Sequence, residues 1–441
     1  MNARGLSTQD TVDPPKEDLD SLLDDPSYYA NPYPAFNRLR REAPVYWHRS
    51  AGTWLVSRYD DVDFVFRSPK LFSNYGFQNV YFENLRPELR AAAPTLELRA
   101  RNPSILQADP PAHTRLRRLL NVVFAPKAIE NLRPRVQALV DNLLDDVTDE
   151  IDFVAALAYP LPAMMIADIM GVPREDRDIF KRASGEIMMF MARNNPNVEL
   201  TVEFARETDN LLVRFRDYLR GLVADRRREP RDDVISILAQ ADFDGDRLTE
   251  EELLSNMVQF LIAGHETTTS LIANGLFLLA RHPDQFQLVR ERRELITPAM
   301  DEILRFESPV QRLRRVITEN VALGGVELPK SQPLEVLVGS ANRDESKWDN
   351  PDLFDIMRKP VPHLAFGRGI HFCIGAPLAR IEGTVVFNEL LNRFASFELF
   401  SRWEPEWASN TSTRMLKSLP LKVRRENNVH SQIRHRKGNQ K

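Results

Sequence analysis

The sequence predicts a mainly α protein with small β-sheets. Between roughly residues 110 and 310 it reads as helices punctuated by proline, such as "PRVQALVDNLLDDVTD" and "FARETDNLLVRFRDYLRGLVADRRREP". One stretch, Thr249 to His282, keeps a helical pattern throughout. Strand-like pieces are few. "APVYWHRSAGTWLVSRYD" predicts a hairpin turning at Ala51 and Gly52, and "NVALGGVELPKSQPLEVLVGSANRD" predicts short strands around turns.

With 441 residues, 43% hydrophobic and 28% charged, the chain is expected to be an ordinary soluble globular protein with a large core. Fifty-nine basic against 63 acidic residues give no general electrostatic case for nucleic acid or membrane lipid. No run of about eighteen apolar residues predicts a membrane span. The polar, acidic N-terminus lacks the pattern of a secretory signal, and a single cysteine fits a reducing compartment, so a cytoplasmic location is expected. Length alone suggests two or three domains. The absence of a Gly/Ser linker, a separating charge block or a repeat argues instead for one domain over 25–425, after a flexible arm at 1–24. The basic stretch 426–441 is expected to be a disordered tail.

The Thr249–His282 helix carries a capping-box spacing at Thr249 and Glu252, has Pro283 beyond its end, and would form a rod of roughly 50 Å. Its middle, "AGHETTTS" from Ala263 to Ser270, breaks helical preference with a glycine and four hydroxyl residues. Small side chains let a ligand approach the backbone, and Glu266 beside Thr267 puts a carboxylate next to an alcohol, a pair that can relay protons. A packed helix with a tolerated glycine is the competing reading. His265 has no second ligand at i+4 and reads as an ordinary surface or core histidine.

"TPAMDEILRFESP" predicts a helix with Thr297 as N-cap and Pro298 at its first position, on which Glu302 and Arg305 share a face. In "DPPAHTRLRRLL" a proline pair precedes a helix on which His113 and Arg117 share a face suited to an anionic ligand, while Arg115 and Arg118 look elsewhere. Taken alone, both patterns are also compatible with solvated surface charges.

The only cysteine, Cys373, lies in "HLAFGRGIHFCIGAPLAR". It could be an inert buried thiol, a nucleophile paired with His371, or an axial haem ligand. Gly367, Gly369 and Gly375 favour the third, because they permit unusual backbone and close approach of a flat cofactor. A helix beginning near Pro377 would put the sulfur at a positive helix end and lower its pKa. A nucleophile could use that too.

"FGRGIHFCIG" matches, position for position, the FGxGxHxCxG cysteine loop of the cytochrome P450 superfamily of haem-thiolate monooxygenases. "DPPAHTRLRR" resembles that family's C helix, "AGHETT" its I helix and "ExxR" its K helix. "SANRDESKWDNPDLFDIMR" resembles the segment before the cysteine loop and "LGGVELPK" the small sheet. The resemblance spans about residues 25–425 and follows the soluble bacterial type. It implies the cytochrome P450 fold, with the long central I helix over a haem held against the L helix. It also implies haem b (iron protoporphyrin IX) with Cys373 as its iron ligand, and His113, Arg117, Arg315 and His371 on its propionates. Phe366, Gly367 and Gly375 would frame the loop. Ala263 and Gly264 would make room for dioxygen, and Glu266 and Thr267 would deliver protons. Glu302 and Arg305 would be a structural pair, completed by Arg358 or His363.

The implied activity is insertion of one oxygen atom into a mainly apolar small molecule, by hydroxylation or epoxidation. Electrons would come from a ferredoxin and ferredoxin reductase, with Arg115, Arg118 and Arg368 as candidates for docking an acidic partner, and the protein would be a monomer. Alternatives are a peroxide-driven peroxygenase, against which Glu266 and Thr267 argue, and a non-catalytic haem sensor or electron carrier. Substrate-facing segments are expected in Phe72–Gln107, "EIMMFMARN", "PVQRLRR" and "NTSTRML".

Overall fold

The computed structural model describes residues 18–75, 85–102, 104–145, 147–173, 176, 187 and 200–425. Residues 1–17 of the expected arm, the tail 426–441, part of the early loop (76–84) and most of "EIMMFMARN" lie outside the described residues. The helices that bear on function are α1 (Tyr59–Arg67), α2 (Pro94–Arg101), α3 (Ala112–Leu120), α4 (Arg133–Asp145), α5 (Pro160–Ile169), α6 (Val202–Arg228), α7 (Glu250–Arg281), α8 (Ile296–Phe306) and α9 (Ala376–Arg393).

α7 crosses the centre of the main core and packs on α5, α8 and α9. The capping box forms as expected. Thr249 Oγ1 accepts the Glu252 N–H at 3.2 Å, and Glu252 Oε2 accepts the Thr249 N–H at 2.9 Å. From Leu253 to Leu279 α7 is buried on most sides, as a helix through a domain centre is. Pro283 opens the next helix, Pro283–Glu291, where its missing N–H costs nothing.

The strands are β1 (Val45–His48), β2 (Thr53–Val56), β3 (Phe72–Ser73), β4 (Glu150–Asp152), β5 (Arg312–Ile317), β6 (Val321–Leu323), β7 (Val326–Leu328), β8 (Pro333–Leu337), β9 (Phe394–Leu399) and β10 (Pro420–Arg425). They form a five-stranded sheet in the order β1-β2-β8-β5-β3, a three-stranded sheet β4-β10-β9 and the ribbon β6-β7. The hairpin β1–β2 turns through Gly52 at φ +60°, as expected. β2 pairs parallel to β8, and β5 pairs antiparallel to it. β5 was not foreseen, because its buried positions include Arg312 and Arg315. Glu335 on β8 takes Arg312 at 3.2 Å and Arg314 at 2.8 Å, while the Tyr28 hydroxyl accepts from Arg312 at 2.6 Å.

Two boundaries differ from expectation. Leu19–Asp24 forms a helix within the supposed flexible arm. Leu19 and Leu23 are buried there, and Asp20 and Asp24 accept from Tyr46 (2.9 Å) and His48 (3.0 Å) on β1. α8 starts at Ile296, out of a 3-10 turn at Arg293–Leu295, so Thr297 is not its N-cap. Pro298 is tolerated inside the first turn, where N–H groups have no intrahelical acceptor.

Candidate active site

The cysteine loop runs from Leu364 into α9. Gly367 (φ +68°) and Gly369 (φ +67°) occupy the left-handed region that glycine favours. A Cβ on Gly369 would lie 2.6 Å from Phe66 O, so the loop rests directly on the α1 backbone. The Cys373 N–H donates to Phe366 O at 2.9 Å, and the Phe366 ring stacks against the Arg380 guanidinium at 5.3 Å. Gly375 does not share the special conformation expected of it. At φ −83° any residue would fit, and its contribution is an N–H aimed at the sulfur, alongside that of Ala376. The expected lowering of the thiol pKa is also corrected. Burial pushes the Cys373 thiol up, against the pull of those N–H groups and of Arg117. A metal cation bound to the sulfur would replace its proton outright.

Beside the sulfur the structure brings together His113 and Arg117 from α3, Arg315 from β5 and His371 from the loop. The two imidazole rings lie 4.2 Å apart. Both ring nitrogens of His113 and Nε2 of His371 are buried without a partner among the described residues. Arg117 Nη1 donates to Phe372 O at 2.8 Å, and Arg315 Nη1 donates to Arg314 O at 2.7 Å. The nearby Asp109 carboxylate is occupied by Ser73 Oγ and by the Asn74 N–H at 3.0 Å. With so little negative charge, burial and the neighbouring cations push His371 down to about 3, and burial pushes Arg315 down to about 10. The cluster therefore lacks anions.

On α7, three hydroxyls bond back to the carbonyl four residues earlier: Thr267 to Ala263 (2.7 Å), Thr269 to His265 (3.0 Å) and Ser270 to Glu266 (2.9 Å). Ala263 is exposed and Glu266 and Thr267 are half-buried. Burial pushes the Glu266 carboxyl up to about 7, close to the value useful for proton transfer near neutral pH. No hydrogen bond joins Glu266 to Thr267. The Glu266 charge instead acts on the Tyr159 hydroxyl across the helix interface. A Cβ on Gly264 would meet Ile166 Cδ1 of α5 at 2.5 Å, so the bare glycine also leaves space for that methyl group. His265 is a core residue, with Nε2 3.0 Å from Tyr159 O.

Glu302 and Arg305 are buried, not solvated. Arg305 donates to both Glu302 oxygens at 2.7 Å, and Arg358 Nε reaches Glu302 Oε1 at 3.3 Å. His363 instead faces Asp301 at 3.3 Å, which identifies Arg358 as the third member. A route to the cysteine loop follows through a residue the sequence had not singled out. Arg305 Nη1 donates to Asn342 O (3.1 Å), Asn342 Oδ1 accepts the Leu364 N–H (2.7 Å), and Leu364 O accepts the Gly367 N–H (2.8 Å).

The arginines expected to dock a partner already face acidic neighbours within the chain. Arg115 pairs with Asp246 (2.7 Å) and Glu252 (2.6 Å), Arg118 with Asp246 (2.8 Å), and Arg368 faces Asp63 at 3.7 Å. "PVQRLRR" and "NTSTRML" lie side by side, with the Gln311 N–H donating to Ser412 O at 2.8 Å. Within the second, Arg414 is buried against Glu307 (2.7 Å).

The family model described as cytochrome P450 matches residues 86–424. The chain belongs to the cytochrome P450 family. It is 38% identical over 369 residues to "Cytochrome P450 109" of Bacillus spizizenii, covering 83% of this chain and 85% of that protein. It is 37% identical over 425 residues to "Cytochrome P450 monooxygenase PikC" of Streptomyces venezuelae, covering 94% and 96%. Its fold matches the crystal structure of CYP109E1 from Bacillus megaterium in complex with corticosterone, with a TM-score of 0.79 at 35% identity, covering 90% of this chain and 99% of that one. This cytochrome P450 is thus a haem-binding oxidoreductase that incorporates oxygen, and the family binds haem b through a cysteine thiolate. Among the described residues no helix is long and apolar enough to cross a membrane.

Proposed function

We propose that this cytochrome P450 oxygenates a mainly apolar small molecule as a monomer, drawing electrons from a separate ferredoxin and ferredoxin reductase. The observation that carries the reading is the cluster of His113, Arg117, Arg315 and His371, short of anions and set around the sole thiol. A flat cofactor with two carboxylates fits both halves of that site. When bound, haem supplies the activation of dioxygen and its insertion into substrate.

The chain supplies the rest. Cys373 would hold the iron, and the four cationic or ionisable side chains would take the propionates. Phe366, Gly367 and Gly375 shape the loop beneath. Ala263 and Gly264 keep side chains off that stretch of α7 and would make room for dioxygen. Glu266 holds a proton near neutral pH and Thr267 offers a hydroxyl one residue on, and together they serve as the proton route. Glu302, Arg305 and Arg358 hold the loop in place. The apolar substrate is supported by the corticosterone bound to the Bacillus megaterium relative. A cytoplasmic location belongs to the same proposal and rests on the single, unpaired cysteine.

The test is the absorption spectrum of the reduced, carbon-monoxide-bound protein. A red-shifted Soret band that Cys373→Ser abolishes is expected. A band without that shift in the unaltered protein would reject the reading.

A further inference from the structure

Against α7, one turn before Ala263, lies a second cation without an anion. Arg99 on α2 is 5% exposed. Its Nη2 donates to Gln259 Oε1 on α7 at 2.9 Å, and its Nε is buried with no partner among the described residues. Gln107 Nε2 approaches the same oxygen at 3.3 Å, while the single Ser104 hydroxyl hydrogen is taken by Gln107 Oε1. Two donors thus share one neutral acceptor. The carboxylates close by are engaged elsewhere. Asp209 on α6 accepts the Thr95 and Leu96 N–H groups at 2.8 and 2.9 Å, and Glu251 pairs with Arg216. Burial, reinforced by the Arg216 charge, pushes Arg99 down to about 10, so it stays charged near neutral pH. A buried guanidinium with only a neutral partner is costly unless an anion completes it.

The register of α7 places this cation relative to the chemistry. Gln259 is four residues before Ala263 and eight before Thr267, along one side of the helix. Gln259, which holds Arg99, therefore sits roughly 12 Å along the helix axis from Thr267. Its Nε and the second hydrogen of Nη2 form an edge that suits a carboxylate fork.

We infer that Arg99, backed by Gln259, binds a carboxylate carried by the substrate, so that this enzyme takes elongated apolar molecules with one anionic end. The inference rests on the monooxygenase reading and narrows its substrate class.

Equilibrium binding to the haem-loaded protein, followed by calorimetry, tests it with decanoate and dodecanoate against 1-decanol and 1-dodecanol. The carboxylates are expected to bind at least about tenfold more tightly than the alcohols, the scale of one charge-assisted hydrogen bond. Arg99→Gln removes that preference by weakening carboxylate binding far more than alcohol binding. Gln259→Glu, which supplies an internal carboxylate at nearly the same volume, also removes it, and decides the matter should Arg99→Gln not fold. Equal binding of acids and alcohols to the unaltered protein, no carboxylate binding, or an equal weakening of both ligands in the folded variants would overturn the inference. A normal reduced carbon-monoxide spectrum accompanying any of these leaves the haem reading standing. An abnormal one brings down that reading first.

Discussion

Two buried clusters of positive charge bear on the cysteine loop, and they are finished differently. Around Glu302, the Arg305 and Arg358 guanidinium groups meet two carboxylate oxygens and the carbonyls of Asn342, Asn350, Pro351 and Leu353. Around Cys373, His113 and His371 have buried nitrogens with no partner, and Arg315 has one backbone carbonyl. Buried polar groups in folded proteins are nearly always paired, so the first cluster is a completed joint and the second a receptor. Composition alone does not separate them, since both are groups of basic side chains. Saturation does.

The largest effect is expected where saturation is broken. Glu302→Gln leaves Arg305 and Arg358 facing a neutral partner in a buried site. It should lower the unfolding free energy by about 3–5 kcal/mol, read from the urea midpoint. A loss below about 1 kcal/mol would show that this joint is not structural.

Glu266 provides the next test, as a half-buried acid with no cation beside it. Its folded-state value near 7 stands above the ordinary 4.5. Between those pH values the folded chain keeps a proton that the unfolded chain has released, so stability falls as pH rises through that window. Glu266→Gln should therefore stabilise the protein by up to about 3 kcal/mol at pH 8 and by almost nothing at pH 4.5, in thermal melts across that range.

In the receptor cluster the sign should invert with the cofactor. Arg315→Gln removes a buried, poorly neutralised charge, so the haem-free protein should be as stable as before or more so. Haem affinity should fall about tenfold or more, measured by transfer of haem to an acceptor protein. A parallel loss of stability and affinity would make Arg315 a joint like Arg305. Smallest of all, Arg118→Ala removes a half-exposed pair with Asp246 and should cost less than about 1 kcal/mol.

What could be read in the sequence followed from local chemistry. The capping box at Thr249, the turn at Gly52 and the hydroxyl run after Gly264 each depend on neighbours a few residues away, and the structure contains all three. The cysteine motif was legible because its glycines, histidine and thiol are contiguous. The rest was set by contacts distant in sequence. β5 is hidden because Glu335 and Tyr28 neutralise an arginine in a strand position that apolar patterning would exclude. The choice of Arg358 over His363 depends on where the segment after Asn342 folds back, and no spacing rule fixes that. Nothing local marks Arg99, because the partner that holds it, Gln259, lies 160 residues away. Leu19 and Leu23 were lost in an acidic segment whose charges face β1.

The back-bond from Thr267 to Ala263 would give the proposed proton route a resting direction. With its hydrogen turned towards the Ala263 carbonyl, the Thr267 oxygen presents only lone pairs outward. In that state it can receive a hydrogen bond from a newcomer but cannot offer one. Giving requires a rotation that abandons the carbonyl. Ala263 thus matters through its backbone oxygen as much as through its small side chain, because that oxygen latches the hydroxyl until something outside the helix competes for its hydrogen.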